Sequence, residues 1–208
     1  MFNNIVFDFD GVIIDSHELQ VKALKKSFNE IYNSGIPPYD DFFKLSGNSL
    51  KNVFTQLGLS LNMIPIYQKV SRENINLIKV HEGIMELLES LKEKKRNCFI
   101  CTGKDRERTI DILKYFKIEH YFRMVVCSDD VINPKPHGES LYLIMNKLGV
   151  CSNDIVMIGD GINDIMAAKN AGIKSIAVSW GDVSKDELQK YKADYLVDTV
   201  KDLAKILE

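Results

Sequence analysis

The chain has little cysteine and little proline, four and five residues in 208, and a single tryptophan. Four cysteines are too few to brace a chain of this length, so a disulfide scaffold is excluded and a reducing compartment is expected for Cys98, Cys101, Cys127 and Cys151. Cys98 and Cys101 form a CxxC, but they lie in the apolar run Asn97 to Thr102, which reads as a strand. Residues three apart on a strand face opposite sides, so this pair cannot share a metal and is expected in the core. No apolar run approaches the roughly 20 residues that span a bilayer. Met1 to Asn4 lacks the charged and apolar regions of a signal peptide, so a cytoplasmic location is expected. Neither sign of charge dominates. With 27 Lys and Arg against 29 Asp and Glu the net charge is -2, which leaves no broad basic face for nucleic acid or an anionic membrane. A small-molecule partner is expected instead. Oligomeric state stays open, because Trp180 and the other aromatics suit core and interface equally.

Short apolar runs at Ile5–Phe9, Asn97–Cys101, Met124–Cys127, Ile155–Ile158 and Ser175–Val178 alternate poorly, as strands buried on both faces of a parallel sheet do. Between them run helical stripes: Ile84, Leu87, Leu88, Leu91; Leu141, Ile144, Met145, Leu148; and Val200, Leu203, Ala204, Leu207. Alternating strand and helix predict an α/β fold. The stretch from Ser16 to about Lys79 breaks the alternation. It carries the stripes Val21, Leu24, Phe28, Ile31 and Leu50, Val53, Phe54, Leu57, a turn-rich segment at Asn33–Pro38, and no strand. Too long for a structureless loop, it is expected to form a helical lobe over residues 16–79, leaving 1–15 and 80–208 as the core.

The strongest chemical signal is Phe7-Asp8-Phe9-Asp10-Gly11-Val12, two aspartates at the end of an apolar strand. Residues i and i+2 of a strand share a side, and two carboxylates facing out of a buried strand repel unless a cation or proton compensates. Mg²⁺ suits one or two carboxylates plus waters and a substrate phosphate. Three further segments follow strands: Thr102-Gly103-Lys104, Asn133-Pro134-Lys135-Pro136 with its lysine held between prolines, and Gly159-Asp160-Gly161-Ile162-Asn163-Asp164. Ligands of open α/β sheets bind at the carboxyl ends of strands, so all four segments can meet in one crevice. Taken singly, Thr102 reads equally as a cap, Lys135 as a loop lysine, and Asp160 and Asp164 as helix N-terminal charges. Together they supply what attack on phosphorus needs: a carboxylate nucleophile, a hydroxyl and a lysine for phosphoryl oxygens, and acids for a metal.

In these four ordered motifs the chain resembles the haloacid dehalogenase superfamily, among its phosphatases with a helical cap inserted after the first strand. The resemblance implies a Rossmann-like, three-layer α/β/α parallel-sheet core. Asp8 would be the nucleophile and form an aspartyl-phosphate. Asp10 would be the general acid and base, its backbone carbonyl binding Mg²⁺. Thr102 and Lys135 would neutralise phosphoryl charge. Asp160 would complete the metal shell, with Asp164 either a ligand through water or the partner that positions Lys135. Asp10 argues against dehalogenation, since true dehalogenases lack that second aspartate, and against the family ATPases, which carry threonine there and a much larger insert. The chain looks most like phosphoglycolate phosphatases and β-phosphoglucomutases. Thr102-Gly103-Lys104 favours the former, and Gly47-Asn48-Ser49-Leu50 lacks the cap arginine of the mutases.

The expected function is therefore Mg²⁺-dependent hydrolysis of a small soluble phosphomonoester, such as phosphoglycolate, a sugar phosphate or a phosphorylated amino alcohol. The alternatives are a phosphosugar mutase or a binding protein that keeps the fold without turnover. Gly11, Gly103, Lys104, His17, Glu18, Gly47 and Asn48 are the candidate substrate contacts, although for the last four a purely structural role serves equally. Two other motifs fail. Gly159-x-Gly161 is no dinucleotide loop, because Asp160 and Asp164 would repel a pyrophosphate. Asp8-x-Asp10-Gly11 is no EF-hand, because an apolar strand precedes it where a helix is needed.

Overall fold

A computed structural model describes residues 2–207; Met1 and Glu208, which the sequence assigns to the core, lie outside the described residues. In chain order the elements are β1 (Asn4–Phe7), β2 (Ile14–Asp15), α1 (His17–Tyr32), α2 (Tyr39–Lys44), α3 (Leu50–Gln56), α4 (Met63–Glu73), β3 (Lys79–Val80), α5 (Ile84–Glu93), β4 (Asn97–Cys101), α6 (Arg106–Tyr115), β5 (Phe122–Val126), α7 (Glu139–Leu148), β6 (Ile155–Gly159), α8 (Ile162–Ala171), β7 (Lys174–Val178), α9 (Lys185–Lys190), β8 (Tyr195–Val197) and α10 (Val200–Leu207). Six strands form one parallel sheet in the order β5-β4-β1-β6-β7-β8.

Side chains alternate across this sheet and both faces are dry. Ile5, Phe7, Cys98, Ile100, Val156 and Ile158 pack with α5, α6 and α10 on one face, whereas Val6, Phe99, Cys101, Ile155 and Met157 pack with α7 and α8 on the other. The outcome is the three-layer α/β/α arrangement. Cys98 and Cys101 fall on opposite faces, both buried, and burial pushes each thiol up to about 12. A separate cluster around Leu24, Phe42, Phe54, Met63 and Tyr67 unites α1–α4. The two chain crossings into and out of these helices lie side by side as an antiparallel pair, Ile14 opposite Val80 and Asp15 opposite Lys79.

Several elements differ from the periodicity reading. β1 stops at Phe7, two residues short of the expected end. The Asp8 N–H still donates to Ile158 O, but the Phe9 carbonyl then accepts from the N–H groups of Ile13 and Ile14 and turns the chain, with Gly11 at φ 73°. Asp8 and Asp10 thus sit beyond the strand, and the i, i+2 strand geometry does not apply to them. β5 begins at Phe122 and ends at Val126, one residue before the expected Cys127. α6 was not expected, since it is mostly charged outside and buries only Arg108, Thr109, Ile112 and Leu113. β2, β3, α9 and β8 are short and gave no periodic signal. Among the described residues, no helix is long and apolar enough to cross a membrane.

Candidate active site

The loops after β1, β4 and β6 and the segment before α7 converge at the carboxyl ends of the central strands. Asp8, Asp160 and Asp164 bring one carboxylate oxygen each to within 4.8 Å of the others, and all three are buried. Lys135 Nζ lies among them, 3.0 Å from Asp8 Oδ1, 2.5 Å from Asp164 Oδ1 and 3.0 Å from the Cys101 carbonyl oxygen. Burial disfavours a charged lysine, yet Asp164 and Asp8 outweigh it and hold the ammonium above its ordinary range. The carboxylates are pushed the other way. Burial, reinforced by Asp164, raises Asp8 to about 7, and burial with Asp164 and Asp8 nearby raises Asp160 well above the usual carboxylate range.

Two oxygens here have no hydrogen-bond partner although both are buried: Asp8 Oδ2 and Asp160 Oδ1. An orphaned carboxylate oxygen at this depth is costly, and for Asp160 Oδ1 a hard divalent cation with oxygen ligands answers that cost. The residues fit Mg²⁺. The other oxygens are occupied: Asp8 Oδ1 accepts from the Phe9 N–H at 2.7 Å, Asp160 Oδ2 from the Asp182 N–H at 2.8 Å, and Asp164 Oδ2 from the Gly161 N–H at 3.0 Å at the start of α8. The Asp10 side chain stands apart from the cluster. Its Oδ1 accepts from the Ser16 hydroxyl at 2.5 Å and meets Lys104 Nζ at 3.1 Å.

Glycines let backbones close on these acids. A Cβ on Gly11 would lie 2.1 Å from Asp160 Oδ2, and one on Gly181 would lie 2.2 Å from the same atom.

A pocket of about 60 Å³ opens beside Asp8 and Asp10. Thr102, Gly103, Lys104 and Arg108 line it from the sheet side. Gln20, Phe42, Phe43, Gly47, Asn48 and Tyr67 line it from the helical side. The loop carrying Gly47 and Asn48 sits directly on the sheet loops: Asn163 Nδ2 donates to the carbonyls of Leu45 and Ser46, at 3.2 and 2.8 Å, and a Cβ on Gly103 would meet Asn48 O at 2.2 Å. Thr102 Oγ1 accepts from the Lys104 N–H at 3.1 Å, which orients its hydroxyl.

Of the candidate substrate contacts, Gly103, Lys104, Gly47 and Asn48 reach this pocket. Gly11, His17 and Glu18 do not. Gly11 and His17 line a neighbouring cleft with Trp180 and Asp182, and Glu18 is exposed on α1. His17 instead stacks on Phe43 with ring centroids 4.2 Å apart and puts Nδ1 2.8 Å from Asp182 Oδ1, tying α1 to the loop after β7. Gln20, Phe42, Phe43, Tyr67 and Arg108 line the pocket but were not anticipated. Arg108 alone had a local signal, Asp105-x-x-Arg108, in which Asp105 caps α6 through the Arg108 N–H and grips the Arg108 Nε.

A parallel sheet between two helical layers, an acid cluster at its strand ends and a further helical cluster lining the same pocket define an α/β enzyme. The family model for haloacid dehalogenase-like hydrolases matches residues 5–178. The chain is 32% identical to the pyrophosphatase PpaX of Bacillus mycoides, over 99% of this chain and 96% of that protein, and 31% identical to PpaX of Halalkalibacterium halodurans over the same shares. Among solved structures, a predicted phosphatase from Clostridium acetobutylicum superposes with a TM-score of 0.88 at 30% identity, covering 100% of this chain and 98% of that one. The chain belongs to the haloacid dehalogenase-like hydrolases, as an enzyme of the phosphatase kind.

Proposed function

We propose that this enzyme is a Mg²⁺-dependent phosphatase that hydrolyses a small soluble cytoplasmic phosphate ester through an aspartyl-phosphate on Asp8, with residues 16–79 as the cap and 1–15 with 80–208 as the core. The observation that carries the reading is Asp8 itself: it lines the pocket, is about 1% exposed, and keeps Oδ2 without a partner while Oδ1 is fixed by the Phe9 N–H and Lys135. A carboxylate held by one oxygen and free at the other is oriented for attack.

In this scheme Asp8 Oδ2 forms the bond to phosphorus as the bond to the leaving oxygen breaks. Asp10, held by Ser16 and Lys104, gives that oxygen its proton and then takes one from the water that opens the acyl-phosphate. The Thr102 hydroxyl and the Lys135 ammonium stabilise charge on the phosphoryl oxygens. Asp8, Asp160 and the Asp10 carbonyl would hold Mg²⁺, and Asp164 would position Lys135. When bound, the ion neutralises the carboxylates and the phosphoryl group so that two anions can approach. Helices α1–α4 keep water out of the charged pocket.

The test is Mg²⁺-dependent phosphate release from a panel of small phosphate compounds. Inorganic pyrophosphate belongs in it, because relatives carry the name pyrophosphatase. Phosphoglycolate belongs in it on the motif resemblance. Chelation with EDTA is expected to abolish release, and Asp8→Asn to abolish it in a folded protein. Turnover retained by Asp8→Asn would refute the covalent route.

A further inference from the structure

Arg108 is buried, its side chain about 6% exposed, yet it lines the pocket. It is fixed on two sides. Nε donates to Asp105 Oδ2 at 2.6 Å, and the guanidinium carbon lies 5.5 Å from the centre of the Tyr67 ring. Asp105 is itself held, because its Oδ1 caps α6 and its Oδ2 also accepts from Gln68 Nε2 at 2.9 Å. The two terminal nitrogens of Arg108, four N–H donors in a planar fork, have no acceptor among the described residues. The fork is not enclosed but opens on the pocket, where a ligand anion can take both nitrogens at once.

The surroundings point the same way. Lys104, the other cation lining the pocket, is already occupied by Asp10. Thr102, Lys135 and Asp8 meet the reacting phosphoryl group in the scheme above, so Arg108 is left over for a different part of the substrate. Burial keeps the Tyr67 hydroxyl neutral, a donor rather than a competing anion.

We propose that Arg108 receives a second anionic group on the substrate, so that the enzyme selects phosphate compounds whose leaving group carries its own carboxylate or phosphoryl charge over neutral sugar, polyol or alcohol phosphates. This rests on the phosphatase reading and names the substrate class for that site. A bidentate pair with the Arg108 fork supplies the discrimination, because a neutral leaving group displaces water from the fork without offering the charged pair in return. Asp105 is a positioning residue, acting through Arg108.

The test compares matched substrates on the Mg²⁺-loaded enzyme: 2-phosphoglycolate and inorganic pyrophosphate against 2-hydroxyethyl phosphate. The wild-type enzyme is expected to favour at least one of the first two in kcat/KM by about 10- to 100-fold, the range of a charged hydrogen-bonded pair. Which one it favours decides between a carboxylate and a phosphoryl group. Arg108→Gln is expected to collapse that ratio, chiefly through KM, Arg108→Lys to restore part of it, and Asp105→Asn to weaken it. A binding arm keeps the idea testable if turnover is slow. Calorimetry on the wild-type protein should show phosphonoacetate binding more tightly than ethylphosphonate. Equal kcat/KM for charged and neutral substrates, or equal affinity for the two phosphonates, overturns the role of Arg108 while leaving the phosphatase intact. Failure of every phosphorus compound to bind or react overturns both.

Discussion

Lys135 Nζ and Asp164 Oδ1 lie 2.5 Å apart with both side chains about 1% exposed, and the lysine touches Asp8 from the same spot. One ammonium therefore separates two carboxylates that would otherwise face each other in a dry site. Removing one member of a buried pair leaves an uncompensated charge, typically a loss of about 3–5 kcal/mol. Lys135→Met is expected to lower stability by that order and to abolish turnover, read by urea denaturation and phosphate release. Unchanged stability would mean that the pair is not formed in solution.

Asp160→Asn removes one of the two orphaned carboxylate oxygens. The variant is expected to need at least about tenfold more Mg²⁺ for half-maximal rate, in line with the loss of a metal ligand's contribution, while its metal-free form melts at or above the wild-type temperature because one buried carboxylate is gone. An unchanged Mg²⁺ requirement would remove Asp160 from the metal shell.

Stability of the metal-free protein should fall as pH rises. Asp8 is raised from its ordinary 3.8 to about 7, and Asp160 is raised as well. Across that interval the folded protein keeps protons that the unfolded chain has released. The unfolded state thus binds fewer, and ΔG of unfolding declines with pH by up to about 1.4 kcal/mol per pH unit for each such proton. Melting in EDTA from pH 4 to 8 should show the decline, and the Asp8→Asn Asp160→Asn double variant should flatten it. Mg²⁺ should stabilise the wild-type protein most at the upper end. A melting temperature that climbs across this window would contradict the burial of these acids.

Gly103→Ala tests how closely the helical side sits on the sheet. The new Cβ would meet the backbone of Asn48 at 2.2 Å, and a backbone atom yields less readily than a side-chain tip. The 45–49 loop must move outward, so kcat/KM is expected to fall by about 10² while the circular dichroism spectrum is kept, since small misplacement at a reacting centre costs on that order. Wild-type kinetics in this variant would mean that the closed arrangement is not the one that reacts.

The parts of this site legible in the sequence are those whose position is set by a neighbouring strand. Asp8, Thr102 and Asp160 each follow an apolar run, so the parallel sheet alone brings them to one edge, and the alternation that separates Cys98 from Cys101 is equally local. The pocket wall was less legible. Phe42, Phe43 and Tyr67 lie in no stripe the sequence shows; they pack in the cluster that unites α1–α4, and only the docking of two separately packed clusters gives them a second face toward Asp8. His17 near the first crossing suggested substrate contact, but its ring is taken by Phe43 and Asp182, residues far along the chain. Arg108 was hidden for a different reason: charged neighbours on α6 mask one inward-facing guanidinium, which no periodicity detects.

Asp160 is gripped between the backbones of Gly11 and Gly181, which approach from the loops after β1 and β7 on either side of its own strand. Three segments remote in sequence therefore interlock around a single carboxyl group, and no one of them assembles the acidic nest alone. In the proposed Mg²⁺ site, affinity for the ion then becomes a reporter of the whole sheet: it should vanish in the same cooperative step in which the strands part, without a partly unfolded species that still captures the cation.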